Sequence, residues 1–169
     1  GAARVRRSAA WPHLPRVHRI TCRPIPCGRT RLSLNATHSS LMTARILIVE
    51  DQAEIRHLIQ ITLSMGDYEV HEADTGPTGL AKAKQIKPDL VLLDVMMPGG
   101  MTGFEVCQAI KADPDMAGVM VMMLTALGAV ADIDLARDAG ADAYWVKPFS
   151  PGELLEQVEI LLPPVTPTV

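Results

Sequence analysis

Ile46-Leu47-Ile48-Val49-Glu50-Asp51 is a β-prone apolar run that stops abruptly on two adjacent carboxylates. A run with no polar alternation is the mark of a strand buried on both faces of a parallel sheet. The same form returns downstream as Leu90-Val91-Leu92-Leu93-Asp94, again over 119–124 before Thr125, and more briefly over 143–146 before Lys147-Pro148. Tyr68-Glu69-Val70-His71-Glu72 alternates and predicts a further strand. Between these runs lie segments of helical spacing. Residues 53–65 carry Ile55, Leu58, Ile59, Thr62 and Leu63 on one face and end at Gly66-Asp67. Further helices are expected over 76–86, 103–111, 130–139 and 151–162, with Pro88 and Asp113-Pro114 as punctuation.

Five strands, each followed by a helix, predict an α/β domain with a doubly wound five-stranded parallel sheet and helices on both faces, because parallel neighbours need right-handed crossovers. In such a flavodoxin-like sheet the site lies beyond the carboxyl ends of the strands, where the strand order reverses. Those ends carry Glu50-Asp51, Asp94, Thr125 and Lys147-Pro148. Taken one at a time, each has a plain structural reading: Asp94 as a turn cap, the acid pair as a helix opening, Lys147 as a solvated charge. Brought together they form a different object. Clustered carboxylates repel one another unless a divalent cation sits between them. Magnesium fits, since it prefers oxygen ligands and is usually held by one or two carboxylates plus a phosphate oxygen. The lysine and the threonine hydroxyl then suit a phosphoryl group.

The chain has 169 residues, 48% of them hydrophobic, which suffices for one domain with a proper core. Its net charge of −3 conceals two regions. Residues 1–41 contain eight arginines and no acid, whereas 42–169 set eight basic residues against all 19 acidic ones, a balance of −11. So acidic a domain has no electrostatic footprint for direct nucleic-acid binding by the core. Cys22, Cys27 and Cys107 form no even framework and lack the ligand pairs of a zinc site, so they read as free thiols in a reducing compartment. No apolar run reaches the ~20 residues that span a bilayer, and a cytoplasmic domain without membrane attachment is expected. Residues 1–41, with Pro12, Pro15, Pro24 and Pro26 and no periodicity, read as a disordered leader outside the native fold. An organellar transit peptide competes with an extension ahead of a natural start at Met42, and the second is preferred. The expected domain is 42–162, and 163–169 is a Pro-rich tail with no output domain in it.

Four segments, in order, resemble the response-regulator receiver domains of two-component signal transduction: Ile48-Val49-Glu50-Asp51, Leu92-Leu93-Asp94-Val95-Met96-Met97-Pro98-Gly99, Leu124-Thr125-Ala126, and Gly140-Ala141-Asp142-Ala143-Tyr144-Trp145-Val146-Lys147-Pro148-Phe149. The resemblance covers about 45–162. It implies that Asp94 accepts a phosphoryl group, that Asp51 binds Mg2+ directly with help from Glu50, and that the Met96 backbone carbonyl completes the protein ligands. It implies further that Lys147 pairs with the phosphoryl oxygens, that Thr125 and Tyr144 form a switch pair, and that Pro148 follows a cis peptide bond. The chain would be no enzyme beyond its own phosphorylation and dephosphorylation. Its partners would be a sensor histidine kinase or phosphotransfer protein and a downstream protein target, with a phosphorylation-dependent homodimer as a further option, and its readout surface the fourth helix, fifth strand and fifth helix. Met96 and Leu127, two residues beyond Asp94 and Thr125, are apolar and are expected to slow hydrolysis of the phosphoryl group.

Two features depart from the family pattern. The loop after Asp94 is one residue longer than usual, and Thr102 stands where an aspartate is common. Competing classes fit less well. An aspartate-nucleophile phosphatase wants an acid at the position of Met96, and a flavodoxin-like cofactor carrier wants a phosphate loop where the chain has Glu50-Asp51-Gln52. A degenerate receiver that binds partners without phosphorylation would lack a key group, yet Asp51, Asp94, Thr125 and Lys147 are all present. The chain reads either as a stand-alone receiver or as the receiver portion of a longer regulator.

Overall fold

A computed structural model describes residues 17–19, 43–126 and 130–162. In chain order these form β1 (Val17–Arg19), β2 (Ala44–Val49), α1 (Ala53–Leu63), β3 (Tyr68–Ala73), α2 (Gly76–Ile86), β4 (Leu90–Asp94), α3 (Gly103–Ala112), a 3-10 turn at Pro114–Met116, β5 (Met120–Thr125), α4 (Val130–Asp138), β6 (Ala143–Val146) and α5 (Pro151–Leu161). The sheet order is β1-β6-β5-β4-β2-β3. All pairings from β2 to β6 are parallel, which gives the expected five-stranded doubly wound core.

One element departs from the sequence reading. Val17–Arg19, inside the leader read as lacking strand periodicity, pairs antiparallel with β6, Val17 opposite Trp145 and Arg19 opposite Ala143. The outer edge of β6 offers unpaired backbone donors and acceptors, and three residues of any composition can take them up without a hydrophobic pattern to announce it. The rest of the leader, with Cys22 and Cys27, lies outside the described residues, as do Leu127 and the tail.

Period-two geometry sends alternate strand residues to opposite layers. Leu47, Val49, Val91, Leu93, Val121, Met123 and Tyr144 pack with Val106, Cys107, Ile110 and Ala136 of α3 and α4. Ile46, Ile48, Leu90, Leu92, Met122, Leu124 and Trp145 pack with Ile59 and Leu63 of α1 and Leu154 and Val158 of α5. Each fully buried Leu, Ile or Val contributes about 1.5–3 kcal/mol relative to exposure. Cys107 is a free, buried thiol whose hydrogen bond goes to the Ala139 carbonyl, and burial pushes its pKa up to about 12, so it packs as a small apolar residue.

Helix starts are fixed by side chains that satisfy the orphan amides of the first turn. Thr75 with Thr78, Thr102 with Glu105 and Ser150 with Glu153 form capping boxes on α2, α3 and α5. Thr102, the departure from the family's usual aspartate, thus performs the cap that an aspartate also makes. Gly103 follows because α3 starts against the end of β4. A Cβ there would collide with the Asp94 carbonyl oxygen and lie 2.9 Å from Val95 Cα.

Candidate functional site

Strand order reverses around β2. The chain leaves β2 for β3 on one side and returns to β4 on the other, so the crevice of the fold opens between the carboxyl ends of β2 and β4. Glu50 and Asp51 follow the last residue of β2, and Asp94 is the last residue of β4. One oxygen from each of these three carboxylates lies within 4.8 Å of the other two. Thr125 closes β5, and Lys147 follows β6 across a backbone bond of 2.6 Å from its amide to the Thr125 carbonyl. The four strand ends singled out in the sequence therefore meet at one edge.

Lys147 is the local counter-charge. Its ammonium donates to Glu50 Oε2 at 2.6 Å and to Asp94 Oδ1 at 3.1 Å, and its side chain is only 12% exposed. Glu50 is fully buried and Asp94 nearly so. Burial raises the Asp94 carboxyl above the usual carboxylate range, Lys147 pulls it down, and a backbone amide bond from Met96 helps to hold the anion. Glu50 is raised in the same way, by burial first and then by the Asp94 charge, against the pull of Lys147. One lysine shared between two buried acids, with a third beside them, leaves negative charge uncompensated.

The donor set fits a hard divalent cation. Asp51 Oδ1 is buried and has no hydrogen-bond partner, a costly state for a carboxylate oxygen that a cation would relieve. Among the described residues this cluster is the one group of three acids, histidines or cysteines close enough to hold a metal ion. Its all-oxygen character suits Mg2+ rather than a softer ion. The Met96 side chain stands out into solvent, 64% exposed, while its backbone lies beside the Asp94 carboxylate, where the resemblance puts the carbonyl ligand.

Thr125 and Tyr144 are both fully buried, so the tyrosine ring already points into the layer formed with α3 and α4. Lys147-Pro148 is a cis peptide, as the resemblance implies. The lengthened loop after Met97 runs through Gly99 and Gly100 with φ of 103° and 90°, a region that glycine enters without steric cost, and both have open space around them. The sequence reading missed Arg56, whose guanidinium reaches back from α1 to the carbonyls of the acid pair. Nothing in its spacing announces this, because its partners are backbone atoms. Among the described residues no helix is long and apolar enough to cross a membrane.

Known proteins give the same picture. The family model for the response regulator receiver domain matches residues 46–159. The DNA-binding dual master transcriptional regulator RpaA of Synechocystis sp. is 45% identical over 118 residues, which cover 70% of this chain and 48% of that protein. The DNA-binding response regulator MtrA of Mycolicibacterium paratuberculosis is 39% identical over 121 residues, covering 72% of this chain and 52% of its own length. The chain thus spans about half the length of these curated relatives. Among solved structures, the chemotaxis response regulator CheY4 of Vibrio cholerae superposes with a TM-score of 0.67 at 34% identity, covering 70% of this chain and 98% of that one. The family model spans more than half of the chain, the relatives share its sequence over the same region and a solved receiver shares its fold, so the chain belongs to the response-regulator receiver domain family.

Proposed function

We propose that this chain is a phosphorylation-switched receiver in which Asp94 accepts a phosphoryl group from a histidine kinase or phosphotransfer protein. The observation that carries the reading is the bridge of Lys147 to Glu50 at 2.6 Å and to Asp94 at 3.1 Å, beside an Asp51 oxygen left without a partner. In the proposed reaction a carboxylate oxygen of Asp94 attacks phosphorus in line. The new P–O bond forms as the P–N bond to the donor imidazole breaks, and the phosphoryl group changes carriers without net hydrolysis. Lys147 would exchange its bond to Asp94 for one to a phosphoryl oxygen, and Thr125 would donate its hydroxyl to another. Asp51, Glu50 and Asp94, with the Met96 carbonyl, would hold Mg2+, which supplies positive charge against the transferring group. The chain would act on no other substrate.

Output follows from a two-state equilibrium that the phosphoryl group biases. Thr125 and Tyr144 are the proposed switch pair, and the surface of α4, β6 and α5 the proposed readout, through a protein target or a homodimer. A second reading concerns what the domain is joined to. The relatives named as DNA-binding regulators are about twice as long as the matched region. That favours a receiver within a longer regulator, the nucleic acid being bound by another part and not by this acidic core, in a cytoplasmic setting. The test of the switch is Trp145 fluorescence during titration with Mg2+ and beryllofluoride. Trp145 is buried on β6, next to Tyr144 and two residues before Lys147 in the chain. A saturable, Mg2+-dependent change absent in Asp94→Asn is expected. A flat response in a folded protein would make the domain a phosphorylation-independent binding module.

A further inference from the structure

The helix that follows the acid pair is anchored differently from its neighbours. The start of α1, at Gln52, has no side-chain cap, whereas α2, α3 and α5 each carry a full capping box. Arg56, one turn into α1, does the work from inside. Its Nη1 donates to the Glu50 carbonyl at 2.7 Å and more weakly to the Asp51 carbonyl at 3.4 Å. Its Nε faces Glu72 Oε2 at 3.4 Å, on β3. The guanidinium therefore ties the Glu50-Asp51 backbone to the neighbouring strand. Its ion pair is with Glu72, and it meets Glu50 and Asp51 through their backbone carbonyls.

We propose that Arg56 is a positioning residue for the metal-binding acid pair: it fixes the Glu50-Asp51 backbone from behind, while Glu72 keeps its charge out of the place a cation takes. This rests on the reading of Glu50, Asp51 and Asp94 as an Mg2+ site. Groups that orient metal ligands without touching the metal typically change affinity about 10–100-fold when removed. Electrostatics alone predicts the opposite sign, because deleting a nearby positive charge favours a bound cation. The two accounts therefore separate on direction. Lysine is a point charge on a flexible stem and cannot serve two carbonyls and a carboxylate as a planar fork does. Arg56→Lys keeps the charge and loses the clamp.

The measurement is the Mg2+ dissociation constant by calorimetry on the full chain, with thermal unfolding in EDTA beside it. Arg56→Ala and Arg56→Lys are both expected to bind Mg2+ about ten-fold or more weakly than the parent. Glu72→Gln, which frees the guanidinium to swing toward Asp51, is expected to weaken binding as well while retaining the arginine. Unchanged or tighter binding in folded Arg56→Ala overturns the proposal. If that variant does not fold, Arg56→Lys decides in the same way. Should the parent chain itself bind no Mg2+, or bind it equally well as Asp51→Asn, the metal-site reading fails first and the proposal with it.

Discussion

Removing the charge of Asp94, the proposed phosphoacceptor, should stabilise the metal-free domain. Asp94 sits within 4.8 Å of both Glu50 and Asp51 and at 3.1 Å from Lys147. At an effective dielectric of about 20, each repulsion at that spacing is worth about 3 kcal/mol, and the attraction to Lys147 about 5 kcal/mol. Two repulsions exceed one attraction by about 1–2 kcal/mol, to which the desolvation of a nearly buried carboxylate adds. Asp94→Asn deletes the charge, keeps the shape, and leaves an amide oxygen that still accepts from Lys147. In EDTA at neutral pH the variant should therefore be more stable by about 1–2 kcal/mol, a rise in Tm of several degrees for a domain of this size.

The pH dependence follows from the raised Asp94 carboxyl. A carboxyl whose folded-state value lies above its unfolded value holds its proton longer in the folded chain. Its penalty is absent below the ordinary carboxylate range and grows as pH rises through the raised value. The advantage of the asparagine variant should thus shrink toward zero on acidification, and Mg2+ should shrink it at neutral pH by offsetting the repulsion in the parent. Urea unfolding of both proteins, with and without Mg2+ across that range, checks all three statements. A variant less stable than the parent in EDTA at pH 7 would refute the reasoning, because Lys147 would then outweigh the repulsion.

The remaining predictions concern neighbours of that charge. Lys147→Met leaves fully buried Glu50 without its 2.6 Å partner, so in EDTA it should destabilise by about 3 kcal/mol, opposite in sign to Asp94→Asn, and urea unfolding reads the difference. Gly103→Ala drives a Cβ into the backbone at Asp94 and Val95, an overpacking that should cost about 1–3 kcal/mol, read by thermal unfolding, and also weaken Mg2+ binding through the displaced Asp94. Met96 is exposed at the lip of the site and cannot orient a water as a polar side chain does, so Met96→Asn should shorten the lifetime of the phosphorylated chain. A decay assay run beside Leu127→Glu counts against this if both lifetimes match the parent's.

Most of the site was legible because the chemistry lies on the chain itself. Ile46 to Val49 and Leu90 to Leu93 are apolar without alternation only because both faces of the sheet are covered, and the polar residue that ends each run must then lie at the edge. The family resemblance added roles to Asp94 and Lys147 that spacing alone left open. What was not legible depends on backbone partners. Arg56 reads as one more solvated helix charge until the carbonyls of Glu50 and Asp51 are seen in front of it. Gly103 reads as a helix start until the Asp94 carbonyl is seen against it. Strand β1 has no pattern to read, since an edge pairing of three residues is satisfied by main-chain groups alone. Thr102, which weakened the match on paper, keeps the cap that the position requires.

Asp94 is the proposed carrier of the phosphoryl group. Incubation of the full chain with Mg2+ and acetyl phosphate, followed by intact mass and peptide mapping, tests it most directly. One added phosphoryl group is expected, dependent on Mg2+, located on the peptide containing Asp94, and lost in Asp94→Asn and Lys147→Met. A phosphoryl group elsewhere, or one that persists in Asp94→Asn, would contradict it.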